Sequence, residues 1–154
     1  MTQRTALQRI EDIGFRCCGR WEAFGSDGIK ITLNEHARSA NALYAFVSNA
    51  EVLYIGKTTQ QLRKRLYGYQ KPRPTQATNI RGNAAIAAAL AKDDLVDVYV
   101  LPDHGLLRFG GFHLNLAAGL EDSLINDLRP IWNKRFGRED AIRKAMNAKA
   151  NVDA

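Results

Sequence analysis

Alternation of polar and apolar residues in the first third of the chain predicts two antiparallel β-hairpins. In each hairpin, two short runs of alternating residues flank a turn of small or polar residues. The runs are residues 20–24 with 29–33, and residues 42–47 with 51–55. A short helix over residues 5–13 precedes the first hairpin and ends at Gly14, where a glycine interrupts the helical pattern.

The rest of the chain is dominated by apolar positions at helical spacing. A helix capped by Thr58 or Thr59 runs to about Tyr69, and a proline-containing loop over residues 71–79 ends it. The later elements are an alanine-rich helix over residues 83–91, a strand over 95–101, a glycine-containing loop over 103–111, a helix over 116–128 and a weak helix from 138 onward. This order predicts an α+β fold, with a small three-stranded, mostly antiparallel central sheet flanked by helices and an added N-terminal helix and hairpin.

Length and composition narrow the class of protein. A chain of 154 residues with 45% hydrophobic residues is expected to form one folded domain. The apolar stretches are far shorter than the roughly 20 residues that cross a bilayer, and the start of the chain lacks a signal-peptide pattern. We therefore expect a cytoplasmic protein. Cys17 and Cys18 are adjacent, which strains a disulfide, and the cysteines and histidines lack a recognisable zinc spacing. Both cysteines are expected to be reduced apolar fillers.

The net charge of +6 comes from one part of the chain. Residues 52–92 carry eight basic residues and no acidic ones, whereas residues 1–51 are balanced and residues 93–154 carry eight basic and ten acidic residues. Such a concentration favours an anionic partner such as a phosphate backbone. A solvated helix face with loop lysines explains the charge equally well, so charge alone leaves both interpretations open.

Glu121 occupies an unexpected place in the helix predicted over residues 116–128. At about 100° per residue, it falls in the middle of an apolar face. The other residues of this face are Ala117, Leu120, Leu124, Ile125 and Leu128. A buried carboxylate is costly unless it is paired or binds a cation. The helix alone leaves two possibilities open, an ion pair with a core arginine or a metal ligand at the floor of a cleft.

Further polar residues lie in apolar settings around the second hairpin. Tyr44 and Tyr54 fall in its strands, Lys57 follows its end, and Arg65 and Tyr69 lie one helical turn apart. Tyrosines in strands most often serve packing, so the hypothesis depends on the whole set. A lone acid, an arginine, a lysine and phenols suit phosphoryl transfer better than acyl transfer. The sequence also lacks a nucleophile-elbow motif, an obvious Cys/His pair and a phosphate-binding P-loop.

Together these positions resemble the motifs of the GIY-YIG nuclease family. Ala42-Leu43-Tyr44 stands where the family has Gly-Ile-Tyr, and Tyr54-Ile55-Gly56 matches the second motif at the family's ten-residue spacing between the two tyrosines. The other matching positions are Lys57 directly after the second motif, Arg65 as the helix arginine, Tyr69 where the family often has Tyr or His, Glu121 as the metal-binding glutamate and Asn133 as the closing asparagine.

The resemblance covers roughly residues 42–133 and departs from the family pattern in three places. Ala42 replaces a glycine, Leu43 replaces an isoleucine, and a long proline-containing insertion follows Tyr69. The two replacements are mild because the strand and its tyrosine are kept, and the insertion concerns specificity rather than chemistry. The implied organisation is a nuclease core over residues 42–135, an N-terminal extension over 1–41 packed on that core and a helical tail over 136–154.

The resemblance implies a small stand-alone endonuclease that hydrolyses DNA with one divalent ion. Glu121 would hold Mg²⁺ or Mn²⁺, which takes oxygen ligands, and Arg65 would clamp a phosphate oxygen. Tyr44 is the candidate general base or water-orienting group, with Lys57 nearby to favour its phenolate. The residues implied to position phosphate or water, or to fix the cleft by hydrogen bonding, are Tyr54, Tyr69 and Asn133.

The basic stretch then becomes the expected surface for the nucleic-acid backbone. The residues implied in DNA binding are Lys64, Lys71, Arg73, Asn79 and Arg81, with Asn79 and Asn83 as candidates for base contacts. We expect single- or double-stranded DNA as the partner, no organic cofactor, no membrane partner and a monomer or homodimer. Two alternatives stay open: a nucleic-acid-binding module of the same fold without turnover, and an RNA-directed nuclease.

The site hypothesis places one requirement on the turn of the second hairpin. Three turn residues, Ser48 to Ala50, would put Tyr44 opposite Tyr54 on one face of the sheet, whereas four would separate the two tyrosines. Four other conspicuous residues are expected to be structural, the histidines near the glycine loop and the tryptophans in the core; these are His104, His113, Trp21 and Trp132.

Overall fold

The computed structural model describes residues 2–136, without the side chains of residues 135 and 136. In this part of the chain the strands are β1 (Arg16–Phe24), β2 (Gly28–Leu33), β3 (Ala42–Ser48), β4 (Glu51–Thr58), β5 (Val96–Pro102), β6 (Arg108–Phe109) and β7 (Phe112–His113). The helices are α1 (Ala6–Asp12), α2 (Leu62–Gln70), α3 (Ala77–Ala91), α4 (Leu116–Leu128) and α5 (Ile131–Phe136). The weak helix expected from residue 138 onward lies outside the described residues.

The central sheet confirms the α+β prediction but not its strand count. Among the described residues, five strands pair antiparallel in the order β2-β1-β5-β3-β4. The expected three-stranded sheet is wrong because β1 pairs along β5, with Arg16 opposite Val100 and Trp21 opposite Val96. The N-terminal hairpin therefore widens the central sheet. This pairing joins residues 75 to 84 positions apart, and no local pattern of polar and apolar residues indicates it.

Different helices cover the two faces of the sheet. On one face, Tyr44, Phe46 and Trp21 pack in a core with residues of α2 and α3. On the other face, Leu43 and Ile55 pack against α1 and α4. Successive residues of a strand point to opposite faces, so each strand of the hairpin β3–β4 contributes to both cores. Trp21 and Trp132 are buried, as expected, at 1% and 6% exposure.

The helix ends show where local signals succeed and where tertiary contacts replace them. Thr5 forms the capping box of α1 with Gln8, which places this helix as predicted. The expected cap of α2 by Thr58 or Thr59 is wrong, since α2 begins at Leu62 and has no side-chain cap. Instead, backbone carbonyls of residues 37 and 39 accept hydrogen bonds from the first N–H groups of α2, at 2.9 Å each.

Two connections differ from the sequence-based expectation. Helix α3 begins at Ala77 rather than near residue 83, so the proline-containing connection is shorter than expected. The glycine-containing loop carries the two-stranded ribbon β6–β7, whose Phe109 and Phe112 are 82% and 80% exposed. The ribbon is anchored at its base by Asp103, which accepts a 2.8 Å bond from the backbone N–H of Gly105 and contacts His113 at 3.1 Å.

None of the helices between residues 2 and 136 combines the length and apolar character required to span a bilayer.

Candidate active site

The turn of hairpin β3–β4 differs from the one that the site hypothesis assumed. It contains two residues, Asn49 and Ala50, both at positive φ of 51° and 62°. The register shifts between Phe46 and Val47, which leaves Leu53 as an extra residue in β4 and forms a β-bulge. The turn is one residue shorter than assumed, and β4 contains one extra residue. Together these two changes keep the side chains of β3 and β4 on the faces that the assumed turn would have given.

Tyr44 consequently lies opposite Gly56, whereas Tyr54 lies opposite Phe46. The direct pairing of Tyr44 with Tyr54, which the site hypothesis required, is therefore not observed. The two tyrosines still share one face of the sheet, because the register differs from the expected one by two residues. Their ring centroids are 6.2 Å apart, so the requirement for a common face is met by a diagonal contact.

A chain of three phenols lies on this face. The hydroxyl of Tyr69, on α2, is 2.8 Å from the hydroxyl of Tyr44 and donates to the hydroxyl of Tyr54 at 3.3 Å. Each hydroxyl has a single proton, and either Tyr44 or Tyr69 can be the donor in the shorter bond. Tyr44 and Tyr69 are completely buried, and Tyr54 is 8% exposed. The chain therefore runs from a closed interior position to a phenol that touches solvent.

Arg65 joins the phenol chain from the same helix. Its guanidinium donates to the Tyr69 hydroxyl at 2.8 Å and to the side-chain oxygen of Asn79 at 2.7 Å. Its central carbon also lies 4.4 Å from the centroid of the Tyr69 ring, a cation–π distance. Two hydrogen bonds and one ring contact hold the planar fork in one orientation. Such an arrangement suits a guanidinium that binds an oxyanion.

Helix α3 holds Arg65 and Tyr69 in place. The sequence did not predict this role of the helix. Asn79 is 7% exposed, and its amide nitrogen donates to Gln76 while its oxygen holds Arg65. Asn83 donates to the backbone carbonyl of Tyr69 at 2.8 Å. A Cβ at Gly82 would stand 2.6 Å from the Tyr69 ring, so this helix approaches the ring only without a side chain there. The isolated glycine in an alanine-rich helix was the available signal.

Lys57 and Glu121 form a second group on the other side of β4. The Lys57 ammonium lies 3.8 Å from a Glu121 carboxylate oxygen, with side-chain exposures of 44% and 16%. Helix α4, which carries Glu121, packs on the face opposite to the phenol chain. The negative charge of Glu121 nevertheless contributes to raising the pKa of Tyr44. The two groups therefore interact electrostatically, across the strand that contains Gly56.

Asn133 lies beside the outer edge of the sheet. Its side-chain oxygen accepts from the backbone N–H of Ile55 at 2.9 Å, and its amide nitrogen donates to the carbonyl of Ile55 at 2.8 Å. Both polar ends of the side chain are therefore engaged with β4. The amide therefore holds in place the strand that carries Tyr54 and Lys57, which is a structural role.

Burial dominates the electrostatics of the phenols. It raises the pKa of Tyr44 and of Tyr69 above the usual value, and the charge interaction with Tyr54 raises the pKa of both further. The positive charge of Arg65 acts in the opposite direction on both, but does not outweigh burial. At neutral pH Tyr44 and Tyr69 are therefore protonated, and the Lys57 ammonium lies beside Glu121 instead.

The residues expected to bind DNA fall into two groups. Four of them are exposed along α2, the following connection and α3; these are Lys64, Lys71, Arg73 and Arg81. Asn79 instead lies inside, with its amide bonded to Arg65 and Gln76. The exposed Tyr67 lies beside Arg63 and Lys64 in a shallow pocket on α2.

The donors around Glu121 fit a hard divalent cation that keeps several waters. Mg²⁺ and Mn²⁺ are commonly bound by one or two carboxylates, with the remaining positions taken by water and substrate phosphate. Glu121 supplies one such carboxylate, partly exposed and 3.8 Å from a lysine ammonium. The carboxylate of Asp103, by contrast, is engaged by backbone N–H groups and His113.

The sequence matches no protein-family model and no curated protein. In three dimensions the chain is similar to a mutant of bacteriophage T4 EndoII, with a TM-score of 0.65 and 24% identity over 85% of this chain and 99% of that chain. The restriction endonuclease HPY188I in complex with product DNA gives a TM-score of 0.48 and 14% identity, over 82% of this chain and 90% of that chain. The likeness to EndoII shows that this chain has the fold of that phage protein.

Proposed function

We propose that this protein is a metal-dependent endonuclease that hydrolyses phosphodiester bonds in DNA. The observation that carries the proposal is the orientation of Arg65, which Tyr69 and Asn79 hold beside three linked phenols. An oriented guanidinium next to groups that exchange protons suits phosphoryl transfer. The fold of the phage endonuclease EndoII supports the same conclusion, as does the resemblance of the motifs to the GIY-YIG family.

Arg65 and Glu121 would bind the two sides of the scissile phosphate. The guanidinium would donate to a non-bridging oxygen and stabilise the charge that develops on it. Glu121 would hold Mg²⁺ or Mn²⁺, which supplies charge stabilisation for the phosphate and the leaving oxygen when bound. Lys57 would lie against the same phosphate once a cation takes its place beside the carboxylate. Phosphate binding would thus span the strand at Gly56.

Tyr44 would act as the general base or orient the attacking water. The hydrogen bonds would give its proton a path in the arrangement in which Tyr44 donates to Tyr69 and Tyr69 donates to Tyr54. Tyr44 would take a proton from water as its own passes to Tyr69, the Tyr69 proton passes to Tyr54, and Tyr54 releases one to solvent. This relay needs no stable phenolate, which burial disfavours. Hydrogen bonds to substrate often form only in the complex, which is compatible with the buried Tyr44.

The exposed basic residues would follow the DNA backbone away from the scissile bond. Lys64, Lys71, Arg73 and Arg81 are the candidates, because phosphate contacts position a nucleic acid without reading its sequence. The sequence indicated Asn79 as a candidate for base contacts, but its side chain is engaged elsewhere. Its side chain holds Arg65, so we propose that it positions the guanidinium and does not touch DNA.

Cleavage of supercoiled plasmid and of single-stranded DNA, with Mg²⁺ or Mn²⁺, tests the proposal. Wild-type protein should nick or cut DNA, and Glu121→Ala and Arg65→Ala should each lose at least about a hundredfold in rate, the scale of a lost transition-state contact. Asp127→Asn is the matched control, because it removes a carboxylate from the same helix at a surface pair with Arg9.

The outcomes separate the alternatives. Cutting that survives both site substitutions would contradict the assignment of Glu121 and Arg65. Binding to DNA without cutting by wild-type protein, under either metal, would favour a binding module of the same fold. The same assay on RNA decides between the two nucleic acids, and faster cutting of RNA would contradict the proposal of DNA as substrate.

A further inference from the structure

Three potential metal ligands meet beside the first hairpin, and none of them belongs to the candidate active site. Cys18 lies on β1, while Glu35 and His36 lie in the segment of residues 34–41 that connects β2 to β3. One ligand atom from each residue lies within 4.8 Å of the ligand atoms of the other two. The backbone fastens the two parts together, since the N–H of Asn34 donates to the carbonyl of Cys18 at 2.7 Å.

The surroundings of His36 favour metal binding through one ring nitrogen. Its Nδ1 lies 3.4 Å from the Ser39 hydroxyl, and its Nε2 lies 3.8 Å from a Glu35 carboxylate oxygen. In the tautomer in which Nδ1–H donates to Ser39, Nε2 keeps its lone pair on the side of the carboxylate. Metal-bound histidines commonly have this arrangement, in which an outer partner holds the second nitrogen. His36 also adopts a φ of 61°, which is unfavourable for a non-glycine residue unless its surroundings impose it.

Cys18 provides a thiol that is shielded from solvent. Its side chain is 1% exposed, and burial raises the pKa of the thiol to about 11, with the Glu35 carboxylate as a further cause. Without a cation the thiol is therefore protonated, and it donates to the carbonyl of Arg16 at 3.2 Å. A bound cation would take the place of the thiol proton, which passes to solvent, and would offset the charge of Glu35.

We propose that Cys18, Glu35 and His36 form a binding site for a zinc-class divalent cation, with one coordination position open to water. Thiolate and imidazole ligands select zinc over magnesium, which prefers oxygen. Metal–ligand distances of about 2.0–2.3 Å require the three ligand atoms to approach one another by roughly 1 Å. The Glu35 side chain is 70% exposed and is free to make this movement.

The site would act on the segment that caps α2. Carbonyls of Ala37 and Ser39 accept from the first N–H groups of this helix, and Arg65 lies on the helix one turn further along. A cation on Cys18 and His36 would fasten the segment of residues 34–41 to β1. It would therefore stabilise the start of α2 without touching the proposed nuclease chemistry.

Spectroscopic titration with Co²⁺ tests the site independently of DNA cleavage. Untagged, reduced protein is first treated with a chelator and then titrated with Co²⁺, which reports a bound thiolate by a near-ultraviolet charge-transfer band. We expect one equivalent of Co²⁺ with this band, and its displacement by Zn²⁺ with a rise in Tm. The exposed neighbour Cys17 gives the matched control, since Cys17→Ser should keep the band whereas Cys18→Ser should lose it.

Two further variants keep the test decisive if Cys18→Ser does not fold. His36→Ala and Glu35→Gln replace side chains that are at least partly exposed, and each should weaken Co²⁺ binding about tenfold or more. A wild-type protein without the thiolate band would overturn the proposal. An equal loss of the band in Cys17→Ser, or unchanged binding in both His36→Ala and Glu35→Gln, would also overturn it.

Discussion

Tyr44 lies directly opposite Gly56 on the neighbouring strand, and a Cβ at Gly56 would stand 2.5 Å from both the Tyr44 hydroxyl oxygen and the carbon that bears it. No pair of real atoms of these types approaches so closely without displacement. The glycine is therefore required because the phenol crosses the neighbouring strand at this point. The close contact with Tyr44 therefore explains why the third residue of the Tyr54-Ile55-Gly56 motif is a glycine.

Gly56→Ala should displace the Tyr44 ring and break its bond to Tyr69. We expect a loss of about 1–3 kcal/mol in the free energy of unfolding, the usual cost of overpacking a core, and at least a tenfold loss of cleavage rate. Gly119→Ala is the control, since nothing lies within 4 Å of its added Cβ and it lies in an exposed turn of α4. The control should gain up to about 1 kcal/mol in urea unfolding. Equal stability of the two variants would contradict the steric role of Gly56.

Asn133→Ala should loosen strand β4. Both backbone groups of Ile55 would lose their partner, and we expect a loss of about 1–3 kcal/mol in the free energy of unfolding. Hydrogen exchange should show faster exchange at the Ile55 amide than in wild-type protein, and Asn126→Ala, on the exposed face of α4, should leave it unchanged. Unchanged exchange at Ile55 in the Asn133 variant would contradict the fastening role.

Asn79→Ala should impair cleavage through Arg65. The guanidinium would lose a 2.7 Å bond and keep its contacts with the phenols, so its orientation would be less fixed. We expect the cleavage rate to fall about tenfold, equivalent to ~1.4 kcal/mol, with DNA binding changed much less. Thr75→Ala, at an exposed position of the connection that precedes α3, should cleave like wild type. If Asn79 instead contacts bases, binding and site preference should change while the rate at saturating DNA stays the same.

The buried phenols predict a loss of stability at alkaline pH. Because burial raises the pKa of Tyr44 and Tyr69 in the folded state, their contribution is fully present below the unfolded value of about 10 and is lost as pH rises above it. Urea unfolding between pH 8 and 11 should show this decline. Tyr44→Phe should reduce the steepness of the decline and remove one late-titrating phenol from the absorbance at 295 nm. An identical decline in the variant would show that Tyr44 titrates normally.

Short-range patterns predicted the elements well. The limits of α4 follow from apolar spacing and from Asn115, which caps the helix by accepting from the N–H of Ala118. Helix α1, predicted over residues 5–13, is found at Ala6–Asp12 with a capping box at Thr5. In both cases the determining contacts join residues within one or two helical turns, so the sequence contains all of the information.

Contacts between distant residues account for the errors. Pairing of β1 with β5 is decided by packing, and the bulge at Leu53 replaces the expected register by one that differs by two residues. The start of α2 depends on carbonyls of a segment more than twenty positions earlier, which a cap search near Thr58 does not detect. The sequence did not indicate the grouping of Cys18 with His36 for the same reason. Strand β2 lies between them in the sequence, although their side chains are close in space.

Within the candidate site, residue types were accessible from the sequence and their arrangement was not. The apolar face around Glu121 indicated a buried acid, and the structure leaves its side chain 16% exposed and 3.8 Å from the Lys57 ammonium. Its position across β4 from the phenols depends on which face of the sheet α4 covers, and the helical periodicity does not specify that choice. Asn79 was expected at a surface because polar residues of a connection usually are solvated, whereas α3 begins early and buries it.

The Asn133 side chain also affects how separate molecules meet. Strand β4 is the last strand on its side of the sheet, and an exposed strand of this kind can recruit a strand from another chain by pairing with its free N–H and C=O groups. Asn133 occupies both groups of Ile55, in the middle of that strand, so an incoming strand cannot add there in continuous register. The same amide that steadies one wall of the proposed nuclease site thereby protects the molecule against sheet-to-sheet aggregation.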